Sequence, residues 1–393
     1  MDTIKEMAKN IIRLIFYNIF KILPLQNKVI ATSFRGRKYG DNPQYILEAI
    51  YKINPSIRFY WLKLRCVTFE VPSFINLIPY GFSLRTIYHM ATCKVYIDTH
   101  EFPLWFKKRK GQLFIETWHG GLGIKKVEGD VDVFKDLDWL NKSIDLTNKM
   151  TDVYLSQSDH LSNIYRRAFW YKGPIWKVGY PKCDILFTDN SEIKRKVYAY
   201  YNIPLEDKVL LYAPTYRAYF HQNIDLSVYD VDFEQLRLSL EKRFGSKWHI
   251  LTRWHPGFAV RISNLEFKNN VIDTTSYADV QELVMVADVM LSDYSSIIFD
   301  AALRDIPCFT FATDFEAYKS ERGVYYEMEE LPFPYAQNNK ELIDNILNYN
   351  HENFLKRWSE FKLKTGLCET GHASEDVANK IFEFFKTGKV EWK

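Results

Sequence analysis

From residue 28 onward, short apolar runs rich in Val, Ile, Phe and Tyr alternate with segments of helical periodicity. Such a rhythm leaves few folds open: each run reads as a strand buried on both faces, and each helical segment as the crossover to a parallel neighbour. Strands are predicted at 28–34, 59–64, 94–98, 113–117, 152–156 and 175–178, then at 208–212, 248–252, 271–273, 289–292 and 307–311. Helices are predicted at 43–53, 84–91, 160–169, 191–201, 233–244, 280–287 and 296–304. The stretch 288–314, DVMLSDYSSIIFDAALRDIPCFTFATD, shows the unit complete: strand, a Tyr294-Ser295-Ser296 turn, helix, strand. A strand running into a Ser-rich helix start aims backbone N–H groups and a positive dipole end outward, which suits a phosphate.

The rhythm restarts after the charged helical segment 191–201, and 393 residues exceed what one core usually serves. Three parts are expected: an amphipathic N-terminal helix over 1–26, an α/β domain over 27–190, and a second over 191–393. The last carries a helical tail, 340–364 and 374–386, able to pack across both halves. Ligands of open α/β sheets bind at the carboxyl ends of strands, so those ends are where chemistry is sought.

A net charge of +3 with scattered basic residues argues against a nucleic-acid partner. The five cysteines are odd in number and form no CxxC pair, which fits a reducing cytoplasm. Near the N-terminus, Lys5, Lys9, Arg13 and Lys21 interleave with Ile11, Ile12, Leu14, Ile15, Phe16, Ile19, Phe20 and Leu23. That run is shorter than the ~20 residues a membrane span needs. It suits a helix lying on a membrane surface, or equally one packed on its own domain.

Five motifs fall at predicted strand ends. Thr117-Trp118-His119-Gly120-Gly121 presents a histidine able to act as a general base, or merely to cap a turn. Gly179-Tyr180-Pro181-Lys182-Cys183-Asp184 reads best as a turn steering the chain between domains. In Ala213-Pro214-Thr215-Tyr216-Arg217, Thr215 suits an oxyanion and Arg217 a bidentate phosphate contact; an arginine there is more often salt-bridged. Strand alternation puts Arg253 and His255 on one side, with Pro256 fixing their presentation, which suits a diphosphate. Ser295 and Ser296 suit the same phosphates, or an ordinary N-cap, and Asp300 one turn on suits a ribose. Three DxD triplets, 130–132, 136–138 and 230–232, follow no apolar strand and read as solvated turns. No His or Cys spacing suggests a metal site. No protein-bound metal or cofactor is expected, Mg²⁺ accompanying a diphosphate being left open.

Read in order, these motifs resemble those of the CDP-glycerol glycerophosphotransferase family, the glycerol and ribitol phosphate primases and polymerases of teichoic acid synthesis. The resemblance rests on TWHG at 117–120, GYP with Asp184, APTxR at 213–217, RxHP at 253–256, and SDYSS with Phe299-Asp300, supported by Asp41-Asn42-Pro43 and Arg322-Gly323. One departure is Leu331-Pro332-Phe333-Pro334, where the family tends to have Pro-Gly-Pro. The resemblance implies a GT-B fold, two Rossmann-like domains facing across a cleft, the first for the acceptor and the second for the CDP donor. It implies transfer of an alditol phosphate from CDP-glycerol or CDP-ribitol to a lipid-linked or polymeric hydroxyl, releasing CMP at the cytoplasmic face of the membrane, with peripheral attachment there. His119 and His255 would then be catalytic. Thr215, Arg217, Arg253, Asp293, Ser295, Ser296, Asp300 and Arg322 would bind the donor, with Trp118, Gly120, Pro181 and Pro256 in support. The alternatives are a GT-B glycosyltransferase or sugar-nucleotide epimerase using another nucleotide sugar, and a bilobal binding module without catalysis.

Overall fold

Helix α1 (Asp2–Phe20) opens the chain, which a computed structural model describes over residues 2–100, 106–132, 138–217, 226–254 and 271–390. After α1 come β1 (Gln26–Ala31), α2 (Asp41–Ile53), β2 (Arg58–Lys63), β3 (Ile75–Pro79), α3 (Leu84–Thr92), β4 (Cys93–Asp98) and β5 (Leu113–Glu116). Then follow α4 (Asp138–Met150), β6 (Val153–Ser156), α5 (Asp159–Arg167) and β7 (Ile175–Lys177). Among the described residues these strands form one seven-stranded parallel sheet, ordered β3-β2-β1-β4-β5-β6-β7. The order reverses between β1 and β4, so the crevice where ligands bind such sheets lies at the ends of β1, β4 and β5.

A second set follows: α6 (Ser191–Tyr201), β8 (Lys208–Ala213), α7 (Phe233–Phe244), β9 (Trp248–Thr252), β10 (Val271–Asp273), α8 (Val280–Val286), β11 (Val289–Ser292) and α9 (Ile297–Ala302). It continues with β12 (Cys308–Phe311), α10 (Phe315–Arg322), β13 (Tyr335–Ala336), α11 (Asn339–Leu347) and α12 (His351–Thr365). Among the described residues these strands build a six-stranded parallel sheet, β10-β9-β8-β11-β12-β13, reversing between β8 and β11. β9 and β11 are buried throughout, as strands covered on both faces must be. The predicted strands fall where expected, while β3, β13, α4 and α10 are additions.

The chain divides less simply than a single boundary near 190 suggests. One unit comprises Met1–His119, Leu137–Asp184 and Cys368–Lys393; the other comprises Gly120–Asp136 and Ile185–Leu367. The helical tail is therefore split: α11 and α12 stay with the second unit, and the last helix, α13 (Ala373–Thr387), packs on α2 in the first. The GYPKCD motif is what fastens it. Glu369 accepts from the Tyr180 N–H at 3.0 and 3.1 Å, and Asp184 caps α13 by accepting from the N–H groups of Ala373 (2.9 Å) and Ser374 (2.7 Å). Gly179, at φ 89°, lets Glu369 approach: a Cβ there would lie 2.7 Å from its Oε2.

Helix α1 packs on its own unit along one face, as one of the two readings offered for it expects. One face, with Tyr17 and Arg13 buried, packs on α3, and Phe16 and Phe20 close against the same core. The other face leaves Ile11, Ile12, Ile15, Ile19 and Ile22 exposed. Among the described residues no helix is long and apolar enough to cross a membrane.

Candidate active site

In the first unit, the strands at the switch point end in polar elbows that brace one another. β4 ends at Asp98, whose buried carboxylate accepts from the N–H groups of Thr99 (2.7 Å) and His100 (3.2 Å) and from the Tyr96 hydroxyl (3.0 Å). Burial pushes its carboxyl up, against the pull of those three donors. β5 ends at Glu116, which accepts from the Trp118 N–H at 2.9 Å, while Thr117 donates its N–H to the Asp98 carbonyl at 2.8 Å. Between these fixed points Trp118 takes φ 54°, a costly conformation for a bulky residue. Its indole packs against His119 and edge-on to Phe169.

The elbow aims His119. The Nδ1 of His119 lies 3.1 Å from the Thr99 carbonyl oxygen. A carbonyl only accepts, so Nδ1 carries the hydrogen and the lone pair sits on Nε2. The ring stacks on His100 at 4.4 Å and 5°, with Phe34 at 5.7 Å on the end of β1. Burial, then the neighbouring His119, drives the His100 pKa down to about 2, so His100 is a neutral platform. Asn42 ties the frame together: its Nδ2 donates to the Trp118 carbonyl at 3.4 Å and its Oδ1 accepts from the Lys182 N–H at 3.1 Å. Trp118 and Lys182 thus share one hydrogen-bonded frame, and after His119 the chain leaves this unit at Gly120.

In the second unit the ends of β8, β11 and β12 converge on one arginine. Arg217 bonds the Asp293 carboxylate through Nη1 and grips Asp314 with Nε and Nη2 at 3.0 and 3.1 Å. Its guanidinium lies over the rings of Tyr294, Tyr229 and Tyr318. Burial opposes its charge, yet Asp293 and Asp314 hold it firmly protonated. Burial likewise opposes ionisation of Asp314, and Arg217 overrides it, keeping that carboxyl below the usual range. Asp293 also accepts from the N–H groups of Thr215 and Tyr294.

Arg217 and Asp293 therefore build the site floor, where a free phosphate clamp was expected. Arg253 donates through Nη1 to the carbonyls of Thr274 (2.5 Å) and Tyr277 (2.7 Å), and burial lowers its pKa. Asp300 is buried and accepts from Gln281 at 2.9 Å, joining α9 to α8 where an open ribose contact was expected. The Thr215 Oγ1 is buried with no hydrogen-bond partner among the described residues. Ser295 and Ser296 are half-buried, and the Ser296 side chain makes no capping bond. Arg322 ends α10 beside Gly323. His255 and Pro256 lie outside the described residues.

Sequence reasoning missed His100 and Asp98, although a Tyr-Ile-Asp strand end followed by Thr-His was the available signal. It also missed Lys125, in a segment assigned to the other half. Of the DxD residues, Asp130 accepts from the Tyr325 hydroxyl at 2.7 Å and Asp232 caps α7, whereas Asp136 lies outside the described residues. Among the described residues no group of three His, Cys, Asp or Glu is arranged to hold a metal ion.

The family model described as CDP-Glycerol:Poly(glycerophosphate) glycerophosphotransferase matches residues 15–383. The chain is 29% identical over 404 residues to a teichoic acid poly(glycerol phosphate) polymerase of Bacillus subtilis (strain 168), covering 97% of this chain and 52% of that protein. It is 28% identical to a teichoic acid glycerol-phosphate transferase of Staphylococcus aureus (strain NCTC 8325 / PS 47), covering 97% and 100%. The chain thus spans about half the length of the first relative and the whole of the second. Among solved structures, the wall teichoic acid polymerase TagF superposes with a TM-score of 0.85 at 26% identity, covering 98% of this chain and 96% of that one. A TagF variant soaked with CDPG gives a TM-score of 0.84 at 25% identity, with the same coverage. The two parallel sheets with helical C-terminal elements are accordingly a GT-B-type α/β fold.

Proposed function

Because the chain belongs to the CDP-glycerol glycerophosphotransferase family, we propose that it transfers glycerol phosphate from CDP-glycerol to a hydroxyl of a lipid-linked or polymeric acceptor in teichoic acid or capsular polymer synthesis. The observation that carries this is His119: its Nδ1–H is given to the Thr99 carbonyl, so Nε2 is the basic nitrogen at a strand end. In the reaction, the acceptor oxygen attacks the phosphorus bearing glycerol, and the bond from that phosphorus to the bridging oxygen breaks. CMP leaves with the bridging oxygen, and the acceptor proton passes to Nε2 of His119. A general base in this role contributes ~10²–10⁴ in rate. Thr215, Ser295, Ser296 and Arg322 bind the donor phosphates, and His255 keeps the role the resemblance gives it, stabilising charge on the phosphate oxygens. Mg²⁺ accompanying the donor is compatible with this scheme and enters no step of it.

Glycerol is preferred over ribitol because both relatives named above are glycerol phosphate enzymes. The exposed isoleucines of α1 favour peripheral attachment to the cytoplasmic face of the membrane, where a lipid-linked acceptor is presented. Product analysis tests the reading. Incubation with CDP-glycerol, CDP-ribitol and UDP-sugars, with a lipid-linked saccharide acceptor, is expected to yield CMP with CDP-glycerol. UDP release from a UDP-sugar without CMP from either CDP-alditol would support the glycosyltransferase alternative.

A further inference from the structure

Lys125 follows the TWHG motif by only a few residues, yet its segment, Gly120–Asp136, belongs to the second unit. There it is laced to the loop after α10. The Tyr325 N–H donates to the Ile124 carbonyl at 2.7 Å, the Lys126 N–H donates to the Gly323 carbonyl at 3.0 Å, and Lys125 and Val324 form an antiparallel bridge. The Tyr325 hydroxyl closes the far side, donating to Asp130 at 2.7 Å and accepting from the Val127 N–H at 3.3 Å. Lys126 lays its stem across Gly323, where a Cβ would meet Lys126 Cδ at 2.7 Å and where φ is 76°. Adjacent residues of an extended segment point to opposite faces. Lys125 is thereby directed away from Gly323 and into the field of Asp293, Arg322 and Arg217.

The ammonium of Lys125 makes no hydrogen bond or ion pair among the described residues. Burial, then Arg322, lowers its pKa from 10.5 to about 8, and Asp293 only partly compensates. Asp293 is moreover already bonded to Arg217. Arg217, in the same field, is held by Asp293 and Asp314, so the carboxylate nearest Lys125 is already shared. A desolvated positive charge of this kind is stabilised by an anion. The unsatisfied Thr215 hydroxyl lies just past β8, on the residue whose own N–H donates to Asp293 at 2.8 Å.

Resting on the CDP-alditol reading above, we propose that Lys125 is a donor-binding residue that contacts the diphosphate and neutralises charge on the departing CMP phosphate. It moves no proton; its contribution is charge placed beforehand by the Lys125–Val324 bridge.

The test compares full-chain wild type, Lys125→Met and Lys125→Arg by calorimetric titration with CDP and with cytidine. Loss of one charged hydrogen bond predicts a ~10–100-fold weaker affinity of Lys125→Met for CDP, with cytidine affinity unchanged and much of the CDP affinity restored by Lys125→Arg. CDP affinity within twofold of wild type in a folded Lys125→Met protein overturns the proposal. Should that variant fail to fold, acetylation of wild-type Lys125 read by mass spectrometry decides: protection by CDP but not by cytidine supports the role, and equal labelling overturns it. A wild type that binds UDP and not CDP refutes the cytidine reading, while a weaker UDP affinity in Lys125→Met still upholds the Lys125 contact. A wild type that binds no nucleoside diphosphate overturns both.

Discussion

Replacing Ile11, Ile15 and Ile19 with serine is expected to release the protein from anionic vesicles without unfolding it. These residues are 56%, 53% and 50% exposed, and Ile12 and Ile22 on the same stripe are 40% and 85% exposed. At ~100° per residue Ile11, Ile12, Ile15 and Ile19 fall within an arc of ~100° on α1, opposite the buried Tyr17, and Ile22 follows just past the helix end. Complete burial of an isoleucine side chain is worth ~1.5–3 kcal/mol, so sinking the exposed half of each contributes ~1 kcal/mol. Three substitutions then remove ~3 kcal/mol, a loss of ~10² in partition coefficient. A basic rim adds to this. The exposed Lys21, Lys107 and Lys110 surround the C-terminal end of α1, which is held there by the Tyr17 hydroxyl donating to the Lys107 carbonyl and by Arg109 donating to the Leu23 carbonyl at 3.0 Å. Each cation near an anionic surface is worth ~1 kcal/mol and is screened by salt. Co-sedimentation with phosphatidylglycerol-containing vesicles, against pure phosphatidylcholine, measures both contributions. A triple variant that sediments with the wild-type midpoint would refute the role given to the stripe.

Two further changes probe the frame. Lys28 is fully buried, and burial, then Arg58, lowers its pKa from 10.5 to about 8. Between those values the folded chain binds fewer protons than the unfolded one, so wild-type stability rises with pH across the window and carries the full cost below about 8. Lys28→Met should stabilise the protein by ~1–3 kcal/mol at pH 7 and abolish that rise; a stability difference that stays flat from pH 7 to 10 contradicts the buried charge. Arg217→Met leaves Asp293 and Asp314 facing each other uncompensated and is expected to cost ~3–5 kcal/mol in urea unfolding. A cost below ~1 kcal/mol would mean that the pair does not hold the strand ends together.

Much of the fold was legible because its strands are buried on both faces, which writes them as unbroken apolar runs. β9, WHILT, and β11, VMLS, begin and end where the sequence places them. What escaped was short or diluted. β13 has two residues directly after Pro334, β3 carries Asn76 and ends at Pro79, and among its described side chains α4 buries a Leu140, Ile144, Thr147 stripe in largely polar sequence. Long-range returns were invisible for a different reason. Neither the Asp184 cap on α13 nor the Lys125–Val324 bridge has a local pattern, since each is made by residues 190 or more apart in the chain. Motif positions were legible, whereas the division of labour within them was not. Arg217 and Arg253 look alike in sequence as strand-end cations, and only their partners show that both bond protein acceptors.

The assignment of the acceptor proton to His119 is decided by single-turnover CMP release from CDP-glycerol, measured beside CDP-glycerol affinity. The wild type should release CMP only when acceptor is supplied, and His119→Ala should lose ~10²–10⁴ in that rate while binding CDP-glycerol within a few-fold of wild type. CMP release by His119→Ala at the wild-type rate would contradict it.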